Sequence, residues 1–193
     1  MGSEMCIRDR RKADASLRVS VRDSGAVVAG FELTLAGASR RKLRAPTGDG
    51  SVVVDKLRDG RYTLSVTSDP GIGTAEVTLE PGASRSVELN VRRWAVVRGR
   101  LVDADGRPLA GLQVLSFANG GSVDFGTQRI ATTDADGRFE LTRVDPQSNF
   151  LLVKSPASTM QTLALQAAPG EQRDLGTVTV RLDATVRYES PGR

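Results

Sequence analysis

Histidine is absent from this chain of 193 residues, cysteine occurs once, at Cys6, and aromatic residues make up only 4%. The missing imidazole removes the side chain that general acid–base catalysis at neutral pH recruits most often, and the commonest metal ligand with it. A single cysteine cannot close an internal disulfide or build a thiolate metal site. No apolar run approaches the roughly 18 residues of a membrane-spanning helix, so no membrane insertion by these residues is expected. Lysine is scarce as well. Of 27 basic residues only Lys12, Lys42, Lys56 and Lys154 are not arginine, and the net charge is +4. Arginine suits carboxylate and phosphate recognition. Here it mostly alternates with apolar residues, as in Leu17-Arg18-Val19 and Val97-Arg98-Gly99-Arg100-Leu101, which is the pattern of a solvated sheet face.

What the chain has is a scheme written twice. Asp49-Gly50-Ser51-Val52-Val53-Val54 and Asp59-Gly60-Arg61-Tyr62-Thr63-Leu64 are answered about 87 residues later by Asp136-Gly137-Arg138-Phe139-Glu140-Leu141 and Phe150-Leu151-Leu152-Val153. Pro81-Gly82 and Pro169-Gly170 keep the same spacing before Val87-Glu88-Leu89 and Val178-Thr179-Val180. Short alternating runs between Gly and Asp turns at this period predict two tandem all-β domains, antiparallel β-sandwiches of roughly 80 residues each. With so few aromatics, both cores must be built mainly of Val and Leu.

The expected boundaries are a leader over 1–13, a first sandwich over 14–92, a second over 93–182, and a tail over 183–193. Met5-Cys6-Ile7-Arg8-Asp9-Arg10 reads as the translation of a transposase-adapter sequence, and the leader should not pack. The tail alternates like Leu17 to Gly25 and then turns at Gly192, so it is expected to begin a third sandwich. Strands are predicted at Leu17 to Val21, Phe31 to Leu35, from Val52 and from Tyr62, with Thr74 to Leu79 and Ser86 to Val91 forming a last hairpin. Residues 38–46 read as a basic, irregular loop. In the second half, strands are predicted at Val96 to Val102, Gln113 to Phe117 and Arg129 to Thr133, and the Asp-Gly turns read as hairpin signals because glycine reaches positive φ without steric cost.

Val97-x-Gly99-x-Leu101-Val102-Asp103-Ala104-Asp105-Gly106-Arg107-Pro108-Leu109-Ala110-Gly111, followed by Thr133-Asp134-x-Asp136-Gly137-Arg138-Phe139, resembles the carboxypeptidase regulatory-like domain. The first half resembles the same family, or collagen-adhesin B-type repeats, more loosely. It keeps Gly60-x-Tyr62 but lacks the Gly-Arg-Pro-Leu-Ala-Gly stretch. The resemblance implies seven-stranded prealbumin-like or Ig-like sandwiches, no enzyme activity, no cofactor, and an extracytoplasmic setting in which the partners are adjacent domains of the same polypeptide.

Individual residues carry little chemistry. Asp134-Ala135-Asp136-Gly137 and Asp103-Ala104-Asp105-Gly106 resemble calcium loops, but Arg138 stands where a further oxygen ligand belongs, so they are read as turns and no metal is expected. The first strands contain no Lys for the Lys–Asn cross-link of collagen-adhesin repeats. Arg40, Arg41 and Arg44 form the densest basic cluster. No aromatic interleaves with it, so nucleic acid is not an expected partner. Asn119, Asp124 and Phe125 lie in a Gly-rich stretch, residues 119–127, the kind of loop on which binding groups concentrate. The sequence therefore predicts a non-catalytic structural spacer, or alternatively a glycan- or peptide-binding module using residues 119–127 or the basic segment 40–44.

Overall fold

A computed structural model describes residues 14–45, 48–116, 129–156 and 160–181. The chain divides into two compact units between Arg92 and Arg93. Among the described residues every regular element is a strand.

The first unit contains β1 (Ala15–Asp23), β2 (Ala26–Val27), β3 (Phe31–Gly37), β4 (Arg41–Arg44), β5 (Ser51–Leu57), β6 (Gly60–Ser68), β7 (Gly71–Leu79) and β8 (Ser84–Asn90). Alternation in sequence becomes alternation in burial. Ala15, Leu17, Val19 and Val21 of β1 are buried, while the residues between them reach the surface. β1 is central in one sheet, antiparallel to β5 and parallel to β8, with β2 paired at one end. The opposing sheet runs β4-β3-β6-β7 and turns Leu33, Leu35, Tyr62, Leu64 and Val66 inward against that row. Each fully buried Leu or Val contributes about 1.5–3 kcal/mol relative to an exposed one. These aliphatic residues supply most of the core, as the shortage of aromatics requires.

The two-residue β9 (Arg92–Arg93) marks the junction. The second unit contains β10 (Ala95–Val102), β11 (Gln113–Ser116), β12 (Arg129–Thr132), β13 (Arg138–Val144), β14 (Phe150–Lys154), β15 (Met160–Ala164) and β16 (Gln172–Thr179). Its sheets are β13-β10-β16 and β12-β11-β14-β15, the plan of the first unit again. Its core is separate, built from Val97, Leu101, Val114, Leu141, Leu151 and Val153 among others.

The duplication extends to an irregularity. β1 meets β5 with a register shift between Ala15 and Leu17, and β10 meets β13 with one between Ala95 and Val97. Opposite each shift stands a basic residue at positive φ, Lys56 at 57° and Arg143 at 58°. The extra residue of a β-bulge is accommodated this way.

Three local expectations need correction. The segment around Arg40 to Arg44 is not an irregular loop: Arg41–Arg44 form β4, antiparallel to β3. Leu43 packs against the core while Arg41, Lys42 and Arg44 stay exposed, so one apolar residue in four is enough to hold an edge strand. The last hairpin is absent, because after Glu80 to Ala83 the chain crosses to the other sheet and β8 pairs in parallel with β1. The Asp59-Gly60 and Asp134 to Gly137 turns likewise carry the chain from one sheet to the other rather than joining hydrogen-bonded neighbours. A turn signal encodes a local reversal. Which strand the chain then meets is decided by core burial. The pairs β1–β8 and β10–β16 are parallel.

Candidate functional site

Of the residues singled out in the sequence, Asn119, Asp124 and Phe125 lie outside the described residues. Arg40 and Arg44 are exposed, on and beside β4. Arg41 is engaged in structure: its guanidinium donates to the backbone carbonyls of Asp55 and Lys56, at 3.3 and 3.1 Å. Lys42 pairs with Glu32 at 2.9 Å. The basic cluster is thus an edge strand whose charges oppose pairing with another strand edge.

The Asp-Gly turns use their carboxylates on their own backbone. Asp134 Oδ1 accepts from the amides of Asp136 and Arg138, at 2.9 and 2.8 Å, and Asp103 Oδ1 accepts from those of Asp105 and Arg107 at the same two distances. Such Asx turns are the side-chain equivalent of a backbone turn. Asp49 does the same. Its carboxyl is held below its ordinary pKa of 3.8, first by the Ser51 amide and then by the Ser51 hydroxyl. Among the described residues no group of three or more His, Cys, Asp or Glu is arranged to hold a metal ion.

Sequence reasoning did not identify a groove of about 870 Å³ in the second unit. Four strands contribute to it: β13 and β10 present alternate side chains outward, β12 supplies Ile130 to Thr132, and β16 supplies Asp174, Gly176 and Thr177. Two cross-strand rows face it. In one, Arg98 lies between Glu140 and Asp174; its Nε is 2.7 Å from Glu140, and the Asp174 carboxylate accepts from the Gly176 amide at 2.8 Å. In the other, Arg100 stands directly opposite Arg138. Arg100 donates Nε–H to the Asp136 carbonyl at 2.8 Å. Phe139, below this surface, is only 5% exposed and lies against Gly99, where an added Cβ would be 3.0 Å from its ring. These residues are spread over nearly 80 positions of sequence, and each alone reads as a solvated strand residue.

The described residues of the second unit, seven strands in sheets of three and four entered through Asx-capped Asp-Gly turns, define a small β-sandwich module. Residues 96–182, within the second unit, match the family model of the carboxypeptidase regulatory-like domain. No curated protein matches the chain. Among solved structures it is similar to the Bacillus anthracis TIE protein, with 14% identity over 85% of this chain and 33% of that one, at a TM-score of 0.37. It is also similar to a streptococcal ancillary pilin, with 14% identity over 86% and 63% of the two chains and a TM-score of 0.42. A variant of a shaft pilin from Lactobacillus rhamnosus GG is 11% identical over 91% and 100%, with a TM-score of 0.34. The chain thus spans a third of the first of these proteins and under two thirds of the second.

Proposed function

We propose that the chain is a non-catalytic structural module of a larger bacterial extracytoplasmic protein, in which consecutive sandwiches act as a spacer for neighbouring domains. The observation that carries this reading is how polar groups are used. The Asp residues of the turns cap backbone amides, the basic residues of β4 guard an edge, and the conformationally special residues, Gly50, Gly137, Lys56 and Arg143, serve turns and bulges that recur in both units. What is duplicated is scaffold. The family match of the second unit supports the same reading.

Surface display tests it. An epitope anchored to a bacterial surface through this chain should become more accessible to antibody than one on a Gly/Ser linker of equal residue number, because a flexible linker's mean span grows only as the square root of its length. Equal accessibility would remove the spacer reading. A second reading, a module that contacts glycan or peptide through Arg40, Arg41 and Arg44 or through Asn119, Asp124 and Phe125, is supported by the exposure of Arg40 and Arg44. Contact through the basic segment requires that replacing Arg40 and Arg44 with Gln abolish binding on a glycan and peptide array, and contact through residues 119–127 requires that replacing Asn119, Asp124 and Phe125 with Ala do so.

A further inference from the structure

β12 ends its sheet. Among the described residues it pairs with β11 alone, and no other described strand runs along its second edge. Thr133 donates to the Leu112 carbonyl at 2.9 Å and accepts from the Gly111 amide at 3.0 Å, which turns its backbone toward β11. By antiparallel alternation the amides and carbonyls of Ile130 and Thr132 point the other way, out from the open edge. Both belong to residues lining the 870 Å³ groove, and Ile130 is 54% exposed. Apart from its extent, the groove has one unusual electrostatic feature. Arg100 and Arg138 are directly opposed cross-strand neighbours, an arrangement that destabilises a sheet when no anion lies between the charges. The acidic residues of the groove do not relieve it. The Asp134 carboxylate caps its own turn, Glu140 pairs with Arg98, and Asp174 accepts from Gly176.

We propose that this groove docks an extended acidic peptide segment, which adds as a strand along the open edge of β12 and sets a carboxylate against Arg100 and Arg138. Two independent features favour a peptide over an acidic glycan. The outward amide and carbonyl groups of Ile130 and Thr132 match the two-residue repeat of a strand, as in other cases of strand addition. Among the described residues the groove also presents no exposed aromatic ring for sugar stacking, since Phe139 is buried beneath it. The paired guanidinium groups fit a carboxylate through charge-assisted, bidentate hydrogen bonds.

The probe is a fluorescein-labelled heptapeptide of alternating Glu and Thr, titrated with the full 193-residue chain and followed by anisotropy. Saturable binding is expected, weakened about tenfold or more by the double substitution Arg100→Gln, Arg138→Gln. Arg107→Gln, which touches only the Asp103 turn, should leave it unchanged. The single charge reversal Arg138→Glu, on an exposed strand position, gives the same reading should the double variant melt early. The same peptide N-methylated at alternate amides should bind about tenfold more weakly, because it cannot complete the ladder. No saturable signal, or undiminished binding by both the double variant and Arg138→Glu, would overturn the site. Equal binding of the N-methylated peptide would overturn strand addition, and tighter binding of a uronic-acid oligosaccharide of equal charge would overturn the choice of a peptide.

Discussion

Single residues are where backbone conformation constrains this sequence most tightly. Gly50 and Gly137 occupy equivalent turns at φ of 68° and 75°. A Cβ at Gly137 would collide with the Leu101 carbonyl, and one at Gly50 would meet Val27 and the Val28 carbonyl. Gly106 has a φ of 80° but open space around it. Replacement of Gly106 by Ala should therefore cost only the left-handed penalty of about 1 kcal/mol, whereas Gly137→Ala and Gly50→Ala add a steric clash and should cost about 2 kcal/mol or more. Chemical denaturation distinguishes these cases, and equal losses at all three positions would contradict the geometry. Tyr62 is fully buried, and its hydroxyl donates to the Arg58 carbonyl at 2.9 Å. Tyr62→Phe should destabilise the first unit by about 1–2 kcal/mol, because it leaves a carbonyl short of its partner. The Asp49 carboxyl, depressed below 3.8 by Ser51, provides a pH test. A carboxyl whose folded pKa is lowered adds stability above its unfolded pKa, and that contribution is lost as the pH falls through the folded value. A carbon-detected titration should place the Asp49 midpoint below 3.8, and Ser51→Ala should return it toward that value.

At the scale of elements, sequence and structure agree on most strand positions and part company over partners. The runs around Leu17, Leu33, Tyr62 and Val97 announce themselves by period-two alternation, because one face of each is buried and the other is wet. The destination of β8 is not visible. Val87 and Leu89 would suit either sheet, and it is β1, apolar on one face and open on one edge, that accepts them in parallel. β4 is illegible for a different reason, since Leu43 is its single inward-facing apolar residue and charge dominates the remainder. The bulges give no signal either, because Lys56 and Arg143 carry none of the glycine or asparagine that marks a left-handed position. The candidate groove is hidden for a third reason: it exists only once β10, β12, β13 and β16 come together. The bulge makes its own prediction. At a φ of 57°, Lys56 holds a conformation that glycine adopts freely, so Lys56→Gly should be neutral or should stabilise the first unit by up to about 1 kcal/mol, despite replacing a strand residue with glycine. A loss of stability comparable to that of glycine at Val54 would show that the bulge is not strained.

For the molecule as a whole, the consequence of duplication is that each unit carries a complete core. Leu17 contributes to one hydrophobic cluster and Val97 to the other, at equivalent positions of equivalent central strands, and the two clusters share no residue. Folding stability in such a chain is local, because a cavity in one core removes contacts only from the residues that line it. Leu17→Ala should cost the first unit about 2–5 kcal/mol, and Val97→Ala should cost the second unit less, since fewer methyl groups are removed. Amide hydrogen exchange reads both at once. The Leu17→Ala chain should lose protection across β1, β3, β5 and β6 while β10, β11, β13 and β14 keep theirs, and Val97→Ala should give the reverse. A uniform loss of protection over both sets of strands in either variant would mean that the two cores unfold as a single cooperative unit. Stability would then have to come from a source other than the residues buried in each sandwich.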